Sequence, residues 1–228
     1  MLKKTRGIVI NYTKYRETSV IVNIYTEEFG IQHYVENGVR SSRSKNKIAL
    51  FQPLTLLDLV VYHKENKDIH RISEIKCSYP FQSVPFDIHK SSIALFITEV
   101  LGRILKEETG NMPLFDFVFE SITWFDEVPQ HFENFHLQFL LKLAVYLGFA
   151  PESAKEFSYE LMLHHLVPLD TTLEQYLDLL LQSEFDQAPK VDRNARAKLL
   201  DAILLFYRLH IDSLGEVKSI AILKEVMR

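Results

Sequence analysis

The sequence predicts an α+β protein of two domains: a five-stranded β-barrel over residues 1–80, then an all-α helical bundle over residues 81–228. Three observations lead there. The first 80 residues carry short period-2 apolar runs bounded by turn residues. Beyond "PFQSVPFD", which Pro80 and Pro85 bracket, the apolar spacing changes to i, i+3, i+4, i+7. The chain has 228 residues, of which 47% are hydrophobic and 25% charged, enough to build a core without disulfides or a structural metal.

The strands come in order. "TRGIVINY" is rich in β-formers, and "TSVIVNIYT" alternates Val20, Val22 and Ile24 against Ile21, Asn23 and Tyr25. "EEFG" supplies a short turn in which Gly30 can take positive φ. "IQHYVENG" reads as the returning strand and ends at Gly38. "LTLLDLVVYH" and "IHRISEIKCSY" follow as strands four and five, around the polar turn "KENKD". Five short strands suit a small closed barrel, of which the OB-fold is the commonest form. An SH3-like barrel would read nearly the same way.

In the second part, Asp87 reads as an N-cap. Ile93, Phe96, Ile97, Val100, Leu101, Ile104 and Leu105 form one helical face. Pro113 opens "PLFDFVFESITWFDE" in a first-turn position. "NFHLQFLLKLAVYLGF" is apolar almost all round, so it is expected as a buried central helix ended by Gly148. "DTTLEQYLDLLLQ" and "DRNARAKLLDAILLFYRLHI" start with aspartate caps, and "SIAILKEVM" closes the chain.

Composition excludes several classes. The seven glycines are scattered, so no phosphate-cradling loop exists, and neither a G-x-S-x-G elbow nor an H-E-x-x-H helix is present. His164 and His165 would point about 100° apart on a helix, which is poor geometry for one metal. The acidic pairs Glu107–Glu108 and Asp126–Glu127 read as solvated groups near helix ends. The single cysteine, Cys77, allows neither an internal disulfide nor a multi-cysteine zinc site, and it reads as strand packing. No catalytic constellation, cofactor site or metal site is expected. The basic N-terminal segment has too short an apolar run for a signal peptide, and no stretch approaches the roughly 18 apolar residues of a membrane span. A cytoplasmic, nucleoid-associated location is the expectation.

Charge is unevenly distributed. The chain carries a net −4, but residues 1–80 hold 13 Lys and Arg against 8 Asp and Glu, whereas residues 81–228 hold 13 against 22. The excess centres on "GVRSSRSKNK", where Arg40, Arg43, Lys45 and Lys47 stand with no acid between them. Lys14 and Arg16 in "YTKYRE" add charge, and Tyr12, Tyr15 and Tyr34 are interleaved. Cations that neutralise phosphates and aromatic rings that stack bases are the two ingredients of a single-strand-binding surface. The alternatives are a solvated face, an RNA-binding barrel, an adaptor meeting an acidic protein, and a nuclease; the last would need clustered carboxylates that are not seen.

The segment from "TRGIVINYTKYRETSVIVNIYTEEFG" through "GVRSSRSKNKIALFQP" resembles the N-terminal domain of the RecO family of bacterial DNA repair proteins. The likeness lies in the order of a "GIV" strand, a Y-x-E-x-S turn, a strand ending YT-x-x-x-G, the "GVRSSRSK" stretch and Phe51-Gln52-Pro53. "FLLKLAVYLGFAP" and "LLFYRLHIDSLGEVKSIAIL", with Lys218-Ser219, are similar to the family's central and last helices. The resemblance implies an OB-fold followed by a helical domain. It also implies a recombination mediator that binds single- and double-stranded DNA and anneals complementary strands. With RecR, such a mediator helps load RecA onto strands coated by single-stranded-DNA-binding protein. The charge and ring pattern above makes Arg40, Arg43, Lys45, Lys47, Lys14, Arg16, Tyr15 and Tyr34 the expected DNA contacts. Many members carry a four-cysteine zinc motif, which one cysteine cannot supply. Some place Arg before the Phe matching Phe139, near where the coat protein's acidic tail docks; here that position is Gln138. Arg103, Lys142, Arg208 and Lys218 are the candidate partner cations.

Overall fold

The computed structural model describes residues 1–39, 47–64 and 67–227. Arg40, Arg43 and Lys45 therefore lie outside the described residues. The chain forms two compact units, Met1–Asp126 and Glu127–Arg228.

Five strands, β1 (Leu2–Tyr15), β2 (Ser19–Thr26), β3 (Gly30–Glu36), β4 (Leu56–Tyr62) and β5 (His70–Tyr79), close into a barrel in the order β1-β2-β3-β5-β4. All neighbours are antiparallel except β3 and β5, which pair in parallel through Tyr34↔His70 and Val35↔Arg71. This closure is the OB-fold topology. It works because alternate residues turn inward: Val20, Val22 and Ile24 of β2 meet Leu57, Leu59 and Val61 of β4 in the buried core. Gly7 is needed at the closest approach, since a Cβ there would lie 2.6 Å from Ile24 and 2.8 Å from Leu59. The long β1 serves both neighbours by a bulge between Val9 and Asn11. The extra residue, Ile10, packs on helix α1 (Ile88–Ile104) at Gly102, where a Cβ would sit 2.9 Å from it.

The helix α1 and its successor α2 (Met112–Glu127) follow the barrel. Asp87 caps α1 by accepting from the N–H groups of His89 and Lys90, and Ile93, Phe96, Ile97, Val100 and Leu101 are buried as their spacing predicts. The loop between these helices straps the β2–β3 turn. Ile31 donates its N–H to Glu107 O at 3.0 Å. Gly30 has φ +65° there, and a Cβ on it would lie 2.2 Å from that same carbonyl. Gly30→Ala is expected to cost about 2–3 kcal/mol, read as a lowered urea midpoint. An unchanged midpoint would mean that the loop is not held there.

Asp126 corrects the reading of a solvated acid. It is buried and accepts from the N–H groups of Gln82 (2.7 Å), Ser83 (2.9 Å) and Val84 (2.8 Å). These residues connect β5 to α1. Lys90, also buried, donates to Ser83 Oγ at 2.7 Å and to Asp126 O at 3.0 Å. Burial would raise the Asp126 pKa, but the three N–H donors and the Ser83 hydroxyl outweigh it and hold the carboxyl below its ordinary value.

In the second unit, α3 (Phe135–Leu147) is the expected buried helix, and Gly148 ends it at φ 82°. Tyr207 of α6 (Arg193–His210) is buried and donates to Leu140 O at 2.6 Å. Asp170 and Asp192 cap α5 (Thr171–Gln182) and α6, and α7 (Ser219–Val226) follows. The sequence reading omitted α4 (Ala154–Leu163), capped by Ser153. His164 and His165 lie just past its end, with His165 at φ 58°, not on a helix. Among the described residues no helix is long and apolar enough to cross a membrane.

Candidate nucleic-acid interface

One end of the barrel holds an open groove of about 720 Å³. It forms where β1 ends, β2 begins, β3 ends and β4 passes to β5. Strand register explains the assembly: Arg71 on β5 is the cross-strand neighbour of both Val35 on β3 and Tyr62 on β4, while Ile21 on β2 faces Val35. Its charge comes from Arg16, Lys64, Lys67 and Arg71, its rings from Tyr15 and Tyr62, and its apolar lining from Ile21, Val35 and Ile69. None of the four cations makes an ion pair with a described residue. Arg16 holds its guanidinium 5.1 Å from the Tyr15 ring centre, on a turn residue with φ +52°. Asn37 also lines the groove, and the undescribed cationic stretch begins three residues after it.

The residues expected from sequence divide sharply. Arg16 and Tyr15 lie in the groove. Lys14 is exposed on β1. Lys47 is an ion-pair partner of Glu36, so its charge is already compensated. Tyr34 is corrected outright: it is fully buried in the barrel core and offers no face to a base. Burial pushes its phenol pKa up. Beside it His70 is also buried, its ring stacked on His63 at 4.7 Å. Burial first, then the charges of His63 and Lys67, hold His70 below its ordinary pKa. Lys64, Lys67, Arg71 and Tyr62 were missed. The turn "KENKD" does contain two of them, but Glu65 and Asp68 mask their charge in the sequence.

The expected partner cations are mostly engaged. Arg103 pairs with Glu99 at 2.7 Å within α1. Lys142 pairs with Glu184 at 2.8 Å and lies 5.6 Å from the Phe185 ring centre. Arg208 donates to Gly215 O at 3.0 Å. Lys218 stands at the N-cap position of α7. Gln138 and Phe139 are both buried, and Gln138 donates to Ser183 Oγ and Glu184 O at 3.0 Å each. Gln138 is thus an internal tether. A different cationic recess occurs in the second unit: about 240 Å³, with Arg193, Arg196 and Lys224 around Leu200, Leu223 and Met227. Lys224 is held by Asp201 at 2.5 Å, whereas Arg196 makes one hydrogen bond among the described residues, a long one of 3.5 Å to Val191 O. Burial depresses the Arg196 pKa, and Glu133 and Asp192 work against that. Burial, aided by Arg196, lowers the adjoining His136 to about 3, so this imidazole is neutral.

Family models match both parts of the chain: Recombination protein O N terminal over residues 1–81 and Recombination protein O C terminal over residues 85–158. The chain belongs to the recombination protein O family. It is 36% identical over 239 residues to the DNA repair protein RecO of Phocaeicola vulgatus, covering 99% of each chain. The DNA repair protein RecO of Bacteroides fragilis is 36% identical over 240 residues, again at 99% of each. That of Flavobacterium johnsoniae is 36% identical over 233 residues, at 98% of each. The family's N-terminal match ends two residues beyond β5, so the OB-fold barrel with its cationic groove is the element that match spans.

Proposed function

We propose that this protein is a non-catalytic mediator of DNA repair and recombination that binds single- and double-stranded DNA through the barrel and anneals complementary strands. The observation that carries this reading is the groove itself: four cations without carboxylate partners among the described residues, with two exposed tyrosines beside them. Bringing two polyanionic strands together is opposed by phosphate repulsion, and clustered Lys and Arg lower that barrier by displacing condensed counterions. Arg40, Arg43 and Lys45, three to eight residues after Asn37 in the sequence, are proposed as further phosphate contacts. Lys14 extends the groove's positive charge along β1. Family membership supports this assignment, because the relatives are named for DNA repair.

The same reading gives the helical unit the protein contacts: RecR, and the acidic, apolar-ended tail of the single-stranded-DNA-binding protein, on the way to RecA loading. The recess of Arg196, with its cationic rim and apolar wall, suits such a tail better than the cations first expected, which are engaged internally. Annealing of complementary oligonucleotides, naked and coated, tests both assignments. Changing Arg16, Lys64, Lys67 and Arg71 to Ala together is expected to slow annealing on both substrates. Arg196→Ala is expected to slow it on coated strands alone. Parent rates in the first variant would overturn the DNA assignment, and parent rates on coated strands in the second would overturn the tail assignment.

A further inference from the structure

We infer that the groove takes unpaired bases, so that Tyr15 and Tyr62 distinguish single strands from duplex while the surrounding cations bind both. This rests on the reading of the groove as the DNA surface and goes beyond it, because charge alone does not tell the two strand states apart.

The lining argues for bases as well as phosphate. A phosphate asks only for donors and positive charge. Here the cations share the groove with the apolar Ile21, Val35 and Ile69 and with two partly exposed rings, Tyr15 at 37% and Tyr62 at 49% exposed. Apolar surface of that kind is satisfied by the flat face of a base, which is available only when the base is unstacked. In a duplex both faces of each base are covered by neighbours, so only the backbone and the base edges remain accessible to the groove. The open groove, about 720 Å³, has room for a base among these side chains.

The geometry supports stacking on these two rings in particular. Tyr15 already has one face under the Arg16 guanidinium at 5.1 Å. Arg16 keeps the left-handed backbone, φ +52°, that places it there, a conformation that a non-glycine residue holds at some cost. A base stacked on Tyr15 would therefore bring its phosphate beside a cation fixed in advance. Tyr62 is registered directly against Arg71 on the next strand, so a second ring and a second cation are cross-strand neighbours in the same groove.

The experiment compares binding of a fluorescein-labelled single strand, the same strand carrying abasic sites, and the corresponding duplex. The parent protein is expected to prefer the base-bearing strand to the abasic one at equal phosphate number. Changing Tyr15 and Tyr62 to Ala together is expected to weaken single-strand binding by about 30-fold or more, to erase the preference over the abasic strand, and to leave duplex affinity within about twofold. The salt dependence should stay as in the parent. Replacement of both by Phe, which keeps the rings, is expected to restore single-strand binding. Unchanged single-strand affinity in the Ala variant, or equal losses on strand and duplex, would overturn the inference. The Arg71→Ala and Lys64→Ala pair separates the two levels: if it weakens both DNA forms while the tyrosine variant weakens neither, base recognition fails and the DNA surface stands. If neither variant changes binding, the DNA surface fails too.

Discussion

Asp126→Ala is expected to destabilise the protein by about 3–5 kcal/mol, a large share of the stability of a domain of this size. The carboxylate is buried and collects three backbone N–H groups from Gln82, Ser83 and Val84, together with the hydroxyl of Tyr79 at 3.3 Å. Its loss leaves the buried Val84 N–H and the part-buried donors of Gln82, Ser83 and Tyr79 without this acceptor, and it removes one of the two carboxylates, Asp126 and Asp87, that favour the charged form of buried Lys90. Asp126→Asn, which keeps one acceptor, should fall between Ala and the parent. The same network makes an acid-dependence testable. The folded carboxyl is held below its ordinary value, so its contribution is complete above the unfolded pKa of about 4 and is lost as pH falls through the folded value. Urea midpoints between pH 7 and pH 3 should therefore fall more steeply in the parent than in Asp126→Ala. Parallel curves, or an Ala variant within about 1 kcal/mol of the parent at pH 7, would mean that the connection from β5 to α1 is held by something else.

The second large effect concerns the groove. At about 0.1 M salt each phosphate contact with a single strand is worth roughly fivefold in affinity through counterion release. Changing Arg16, Lys64, Lys67 and Arg71 to Ala together is therefore expected to weaken single-strand binding roughly 10² to 10³-fold. These side chains sit at the rim of the barrel, outside its core, and none makes an ion pair with a described residue. Thermal unfolding should accordingly move little. Lys47→Ala is the internal comparison: with its charge compensated by Glu36, it should weaken binding far less than any groove cation.

How much of this was legible in the sequence depended on how local each feature is. The alternation in β2, the aspartate caps at Asp87, Asp170 and Asp192, and the helix ended by Gly148 are all written within a few residues, and each stands where its pattern puts it. The groove is not local. Tyr62 and Arg71 are nine positions apart and become neighbours only through β4–β5 register, and Ile21 and Val35 join them from two other strands. The same point separates the tyrosines. Tyr15, Tyr34 and Tyr62 look alike in a strand pattern, yet which one faces the core depends on the closure that pairs Tyr34 with His70. Asp126 read as solvated because its partners lie 42 to 44 residues away. Glu36 likewise neutralises Lys47 from eleven residues back, across the cationic stretch. α4 was legible too: its buried residues, Ala154, Phe157, Ser158 and Leu161, stand at i, i+3, i+4 and i+7 behind the Ser153 cap.

The most direct measurement is the slope of log affinity against log salt for a short single strand, taken for the parent and for two variants. The groove variant, with Arg16, Lys64, Lys67 and Arg71 changed to Ala, is expected to lose about 3 from the magnitude of that slope. The variant with Arg40, Arg43 and Lys45 changed to Ala should lose about 2, at about 0.7 per phosphate contact. A groove variant that is folded and keeps the parent slope would contradict the assignment of this surface to DNA.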